Sequence, residues 1–207
     1  MSKTDFDLIV AGAGIVGIST ALWAQKEGLK TLICDPAPPG SGTTYGSACT
    51  IATYACIPVN SPTIFSALPH LLTSKDSPLS FNLAHGLKNP RWMLSFLDNC
   101  RPSRVKHITQ ALGGFLRHAD SGLDPLIAEA DAQDLIVSND CLYVWSSRTG
   151  FENAATSNAM RAEQGVELDE LGPDDIRSLE PNLQQAMHRG LRFKGARHIT
   201  NPQELVH

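Results

Sequence analysis

An apolar run that breaks into three spaced glycines, close to the start of this 207-residue chain, restricts its fold more than any other feature. From Asp7 it reads Asp-Leu-Ile-Val-Ala-Gly-Ala-Gly-Ile-Val-Gly, continues with helical periodicity, and closes on Gly28-Leu-Lys-Thr-Leu-Ile-Cys-Asp35. Three glycines alone arise by chance. Here a strand-like run precedes them, a helix-like run comes after, and a second apolar strand ends in an acid, which is the dinucleotide-binding pattern in its full context. Leu8, Ile9 and Val10 read as a parallel strand buried on both faces. Gly12 permits the tight turn out of it, Gly14 lets a pyrophosphate approach the backbone, and Gly17 lets the helix pack closely on the sheet. The first helical turn has N–H groups without intrahelical partners and a partial positive charge, and both favour a diphosphate. Ile15, Ile18 and Leu22 give the helix a buried stripe. Asp35 stands eighteen residues after Gly17, near the separation at which a carboxylate meets ribose hydroxyls. An ordinary βαβ unit with a glycine-rich turn is the competing reading. The candidate cofactor residues here are Gly12, Ala13, Gly14, Ile15, Val16, Gly17 and Asp35.

The stretch after Asp35 bears on which dinucleotide. An NAD dehydrogenase continues there into a second helix and a third parallel strand. This chain reads Pro36-Ala-Pro-Pro-Gly-Ser-Gly-Thr-Thr-Tyr-Gly-Ser-Ala48 instead, a density of Pro, Gly, Ser and Thr that neither element tolerates. Such a loop, rich in N–H groups and hydroxyls at the mouth of a dinucleotide site, suits a second contact surface on the cofactor, and it adds Gly42, Thr43 and Thr44 as candidates. A surface turn without a ligand is the alternative.

The glycine fingerprint followed by Asp-Pro-x-Pro-Pro-Gly-Ser-Gly-Thr-Thr-Tyr-Gly resembles the FAD-dependent amine and D-amino-acid oxidoreductases. Within that family it is most similar to the D-amino-acid dehydrogenase branch. Lys75–Phe81 looks like the branch's Asp-x-Pro-Leu segment, Pro90–Leu97 its Trp-containing helix, Cys141–Trp145 a strand of its substrate domain, and Leu179-Glu-Pro181 its Glu-Pro turn. The chain departs from the pattern at Ser47, where the family usually has Asn, and at Cys49, where it has Gly or a small residue. The resemblance implies an α/β fold: a Rossmann-like FAD/NAD(P)-binding βαβ unit over residues 1–88, with an appended α+β substrate domain over 89–207. It implies FAD as cofactor, an amine substrate of small size, and hydride transfer from a CH–NH2 carbon to flavin N5. No fixed side-chain base is expected, so catalytic residues stay unassigned, as does the electron acceptor. Flavin chemistry of this kind asks the protein for orientation and electrostatics rather than a proton acceptor.

Composition narrows the alternatives. A net charge of −4 argues against a general nucleic-acid binder, which should be basic. No apolar run reaches the length of a membrane span, and the N-terminus enters the first strand directly, so a cytoplasmic protein is expected. The five cysteines form no Cys-x-x-Cys pair and read as reduced thiols, and the seven histidines form no ligand pair, so no metal is expected.

Farther along, Ser61-Pro62, Asn89-Pro90 and Pro102 read as helix starts with Pro at the first helical position. The second helix carries Trp92, Met93, Phe96 and Leu97, read as core. The third has a stripe of Val105, Ile108, Leu112, Phe115 and Ala119, while Arg104, Lys106, His107, Arg117 and His118 line its other faces. A solvated face is the common cause of such a pattern; peripheral contact with the inner face of a membrane is the alternative. Strands are expected at 142–145, 166–171 and 190–193, and helices at 151–164 and 173–179, with Gly165 as a C-cap. Tyr143, Arg189 and Arg192 suit a carboxylate, but ordinary strand roles are the simpler reading. Asn201-Pro-Gln-Glu204 is a helix start with barely one turn after it, which is the ground for expecting an N-terminal fragment. A non-catalytic dinucleotide-binding fragment, or a subunit completed by a partner, is therefore the alternative function.

Overall fold

Two short apolar strands and the helix between them form the first layer, as a βαβ pattern requires. The computed structural model describes residues 5–60, 62, 88–183 and 186–207. Strands β1 (Leu8–Ala11) and β2 (Thr31–Cys34) pair in parallel, in the register Leu8↔Thr31 to Ala11↔Cys34, across helix α1 (Ile15–Lys26). Only one face of this pair is covered by α1. Ile9 is 63% exposed, which corrects the expectation of a strand buried on both faces. The buried stripe of α1 also differs from expectation: Ala21 is the buried residue, while Leu22 is 40% exposed. Helix α1 is apolar on several sides, so its periodicity does not identify the face that packs.

Helices α2 (Pro90–Asn99) and α3 (Pro102–Leu116) begin where the prolines predict. Trp92, expected in the core, lies on the surface and stacks on Phe96 with ring centroids 5.4 Å apart. The packed face of α3 is Val105, Thr109 and Gly113 at i, i+4 and i+8, whereas Phe115 is 81% exposed. The reason is steric. Gly113 approaches Gln164 so closely that a Cβ there would lie 2.8 Å from its side chain, and this contact fixes the rotation of α3. Ala119 opens a separate helix, α4 (Ala119–Glu129), which reaches α1 through a 2.9 Å hydrogen bond from Trp23 Nε1 to the Gly122 carbonyl and through the Lys26–Glu129 ion pair.

The second layer is antiparallel. Strands β5 (Cys141–Trp145), β7 (Arg189–Phe193) and β6 (Leu168–Leu171) form one sheet in the order β5-β7-β6. The helix expected at 151–164 is two, α5 (Arg148–Asn153) and α6 (Ala155–Glu163), and α7 (Pro173–Leu179) matches its expected range. Gly165 has φ +85°, as a left-handed C-cap requires. Tyr54, Leu191, Phe193 and Ala196 form the core of this region, with Tyr54 and Phe193 stacked at 5.1 Å. Arg192 pairs with Asp169 at 2.7 Å and Arg189 with Glu170 at 3.2 Å, so both arginines serve the sheet.

A third sheet ties the two regions together. Strand β8 (Arg197–Ile199) pairs antiparallel with β3 (Thr50–Ile51) on one side and β4 (Ile136–Ser138) on the other. Arg197, 17% exposed, adds bonds of 2.6 Å to both Asp120 and Asp124 of α4. The Asn201 cap forms as read, with its Oδ1 accepting the Glu204 N–H at 3.2 Å. It opens a 3-10 turn (Glu204–Val206) in which Val206 is buried. The expected helix start at Ser61 and the 75–81 segment lie outside the described residues. Among the described residues, no helix is long and apolar enough to cross a membrane.

Candidate functional site

The end of β1 turns sharply at Gly12, whose φ of +108° is strained for any residue with a Cβ. Its N–H donates to the Cys34 carbonyl at 2.8 Å, which keeps the turn against the end of β2. Gly17 is the most constrained of the three glycines: a Cβ there would lie 2.0 Å from the Gly12 carbonyl oxygen. That contact is the close helix–strand approach the fingerprint predicts. At Gly14 a Cβ would lie 3.1 Å from the Thr44 hydroxyl. Gly14 thus has a role not read from sequence, because its lack of a side chain admits the second loop.

That second loop folds back over the first. Thr44, buried, accepts the Ile15 N–H at 3.1 Å, and Gly40 donates to the Ala13 carbonyl at 2.9 Å. The loop is therefore bonded to the first turn of α1 rather than free in solvent. Helix geometry leaves the N–H groups of Gly14, Ile15, Val16 and Gly17 without intrahelical acceptors, and Thr44 takes one of them. Gly14, Val16 and Gly17, which carry the others, line an open cavity of about 490 Å³ at the positive end of the helix dipole.

Asp35 grips both ends of its own turn. One carboxylate oxygen accepts the Ala13 N–H at 2.7 Å and the other the Ala37 N–H at 2.8 Å. These two bonds, Ala13 first, hold the Asp35 carboxyl below the usual carboxylate range. Each oxygen keeps a further lone pair for a hydroxyl.

Of the sequence candidates, Gly12, Gly14, Ile15, Val16, Gly17, Thr43 and Thr44 border the cavity together. Ala13 is buried beneath it, Asp35 stands behind the glycine turn, and Gly42 lies outside the lining, its carbonyl accepting the Tyr45 N–H at 3.1 Å. Ser47 and Thr20 also border the cavity, and sequence reasoning does not reach them as binding residues; the one signal is that Ser47 departs from the family pattern. Among the described residues, none that lines the cavity carries a charge. A diphosphate fits this arrangement, since backbone N–H groups, hydroxyls and the dipole can stabilise it. Among the described residues, no group of three or more His, Cys, Asp or Glu is arranged to hold a metal ion.

Comparisons with known proteins give the family and the fold relatives of this chain. A family model described as FAD dependent oxidoreductase matches residues 7–207. The chain is 29% identical over 200 residues to the D-amino-acid oxidase of Bradyrhizobium diazoefficiens, covering 95% of this chain and 47% of that protein. It is 29% identical over 178 residues to D-amino acid dehydrogenase 2 of Ralstonia nicotianae, covering 85% and 42% respectively. In fold it is similar to the glycine oxidase of Bacillus cereus, with a TM-score of 0.55 at 14% identity, covering 98% of this chain and 42% of that one. The chain thus spans less than half the length of the curated relatives it matches.

Proposed function

This chain belongs to the FAD-dependent oxidoreductase family, and on that premise we propose that it supplies the phosphate-binding part of a flavoenzyme oxidising the CH–NH2 group of a D-amino acid or related amine. The observation that carries this reading is the paired-loop cradle at the start of α1, with the Thr44 hydroxyl on the Ile15 N–H and the Asp35 carboxylate on the Ala13 N–H. Gly14, Val16 and Gly17 present backbone N–H groups to the diphosphate, while Gly12, Ala13 and Ile15, whose N–H groups are bonded to Cys34, Asp35 and Thr44, shape the turn around it. Thr43 and Thr44 offer hydroxyls, Asp35 fixes the glycine turn and receives ribose hydroxyls, and Gly42 shapes the second loop. Bound FAD supplies the hydride acceptor for the amine's Cα–H, after which imine hydrolysis gives an oxo acid and ammonia. This chain's residues bind and orient. Residues 1–88 are assigned to the cofactor and 89–207 to the substrate side, joined by the Thr50↔His198 pairing of β3 with β8. The electron acceptor is left open. Peripheral membrane contact would rest on the exposed basic faces of α3 beside Phe115, and flotation with anionic vesicles tests it.

A second reading, a non-catalytic dinucleotide-binding module completed by a partner, is favoured by one observation: Ile9 and Val16, beside the cradle, are 63% and 77% exposed. Visible spectroscopy of the purified protein with added FAD, during anaerobic titration with D-amino acids, separates the two. A flavin spectrum that bleaches supports the enzyme. A flavin spectrum that never bleaches removes D-amino acids as substrates, and failure to take up FAD overturns the enzyme reading for this chain alone and favours the module.

A further inference from the structure

The 3-10 turn that comes after β8 packs against the cradle. Val206 is 6% exposed, and its partner is Gly40, buried in the middle of the second loop with φ +69°. The approach is tight: a Cβ built on Gly40 would lie 3.1 Å from Val206 Cβ, 3.3 Å from its Cγ1 and 3.4 Å from the Gln203 carbonyl oxygen. The same Gly40 donates its N–H to the Ala13 carbonyl, and Ala13 donates its own N–H to Asp35. Downstream, the Gly40 carbonyl accepts the Tyr45 N–H at 3.0 Å, which closes the turn that presents Thr44 to Ile15. The turn bearing Val206 is itself anchored. Asn201 caps it at Glu204, the Val206 N–H donates to the Gln203 carbonyl at 3.1 Å, and β8 immediately before it is paired on both edges.

We infer that Val206 is a positioning residue that wedges the 36–48 loop onto the glycine turn, so that the turn after β8 sets the geometry of the cofactor cradle. The loop has no regular element between β2 and β3; local turns such as Tyr45 on Gly40 shape it internally, and its placement on the glycine turn depends on what packs against it. Gly40 is the point where the packing is closest, and its lack of a side chain lets Val206 press on the backbone itself. The consequence for binding rests on the reading of the cradle as a flavin-phosphate site; the wedge itself is a contact within the chain.

The test separates the two. Amide hydrogen exchange on the ligand-free chain compares wild type with Val206→Ala and with Val206→Ile, which keeps both γ-carbons. Exchange at Gly40 and Ala13 should rise about tenfold in Val206→Ala, stay near wild type in Val206→Ile, and leave Leu191 in β7 unchanged. Titration with FAD should then give about tenfold weaker binding for Val206→Ala and recovery in Val206→Ile. The phosphorus NMR shifts of bound FAD should move in the alanine variant alone, which a uniform loss of stability would not cause. Unchanged exchange at Gly40 and Ala13 overturns the inference whether or not FAD binds. Faster exchange with equal FAD affinity in both proteins overturns the positioning role. Faster exchange in Val206→Ala, with a wild-type chain that takes up no FAD, supports the wedge and overturns the flavin reading.

Discussion

Gly17→Ala should be the most damaging single-methyl change in the cradle, and its size is set by one distance. The new Cβ would lie 2.0 Å from the Gly12 carbonyl oxygen, against an ordinary C···O approach of about 3.3 Å. The neighbour cannot swing aside as a side chain would, since it is backbone in a turn with φ +108°, already bonded to Cys34. Overpacking of this kind costs about 3 kcal/mol at the upper end of its usual range, while the better helix propensity of alanine returns about 1 kcal/mol. The net loss is about 2 kcal/mol, which lowers Tm by roughly 4–8 °C in a chain of this size. Gly114→Ala is the matched control. Gly114 lies inside α3 with nothing within 4 Å of a built Cβ, so the same substitution should stabilise by about 0.5–1 kcal/mol. Chemical denaturation followed by tryptophan fluorescence reads both, with Trp23 in α1 as a local reporter. If Gly17→Ala shifts stability no further down than Gly114→Ala shifts it up, the close-packing argument fails.

Three further outcomes are expected of the same structure. Asp35 has a folded pKa below its unfolded one, so its contribution is present above about pH 3.9 and is lost as pH falls through the lower folded value. Asp35→Asn should lose that contribution, and the gap between wild-type and variant Tm should narrow as pH drops below 4. Cys49 has φ +59°, a conformation that costs a non-glycine residue about 1–2 kcal/mol; Cys49→Gly should therefore raise stability by about 0.5–1 kcal/mol after the entropic penalty of glycine, measured by the same denaturation curves. Burial pushes the Cys56 and Cys100 thiols up, and both are 0% exposed, so a thiol reagent at neutral pH should modify exposed Cys34 in the native protein and reach those two only on unfolding.

How far the sequence carries depends on whether the controlling interaction is local. Pro90, Pro102 and Pro173 mark their helix starts because a proline at the first helical position is a constraint of the residue itself. Gly12 and Gly17 are legible for the same reason, since strand, turn and helix succeed one another directly. Leu22, Trp92 and Phe115 read as buried and are exposed, because exposure depends on which layer lies opposite, and periodicity does not say which. Strand β3 has two residues and exists through pairing with β8, almost 150 positions later, so no local signal announces it. The double backbone engagement of Asp35 is invisible in sequence too: an acid after a strand predicts a ligand hydroxyl, while its grip on Ala13 needs the turn to be folded first.

The uncharged lining of the cavity has a consequence for selectivity. Backbone N–H groups and threonine hydroxyls answer to phosphate oxygens alike, whichever nucleotide carries them. Such a cradle is indifferent to the rest of the molecule and, among the described residues, has no lysine or arginine whose attraction salt would screen. Its grip should vary little with ionic strength, and discrimination between one dinucleotide and another must be exercised by the groups that meet the ribose and the ring beyond it.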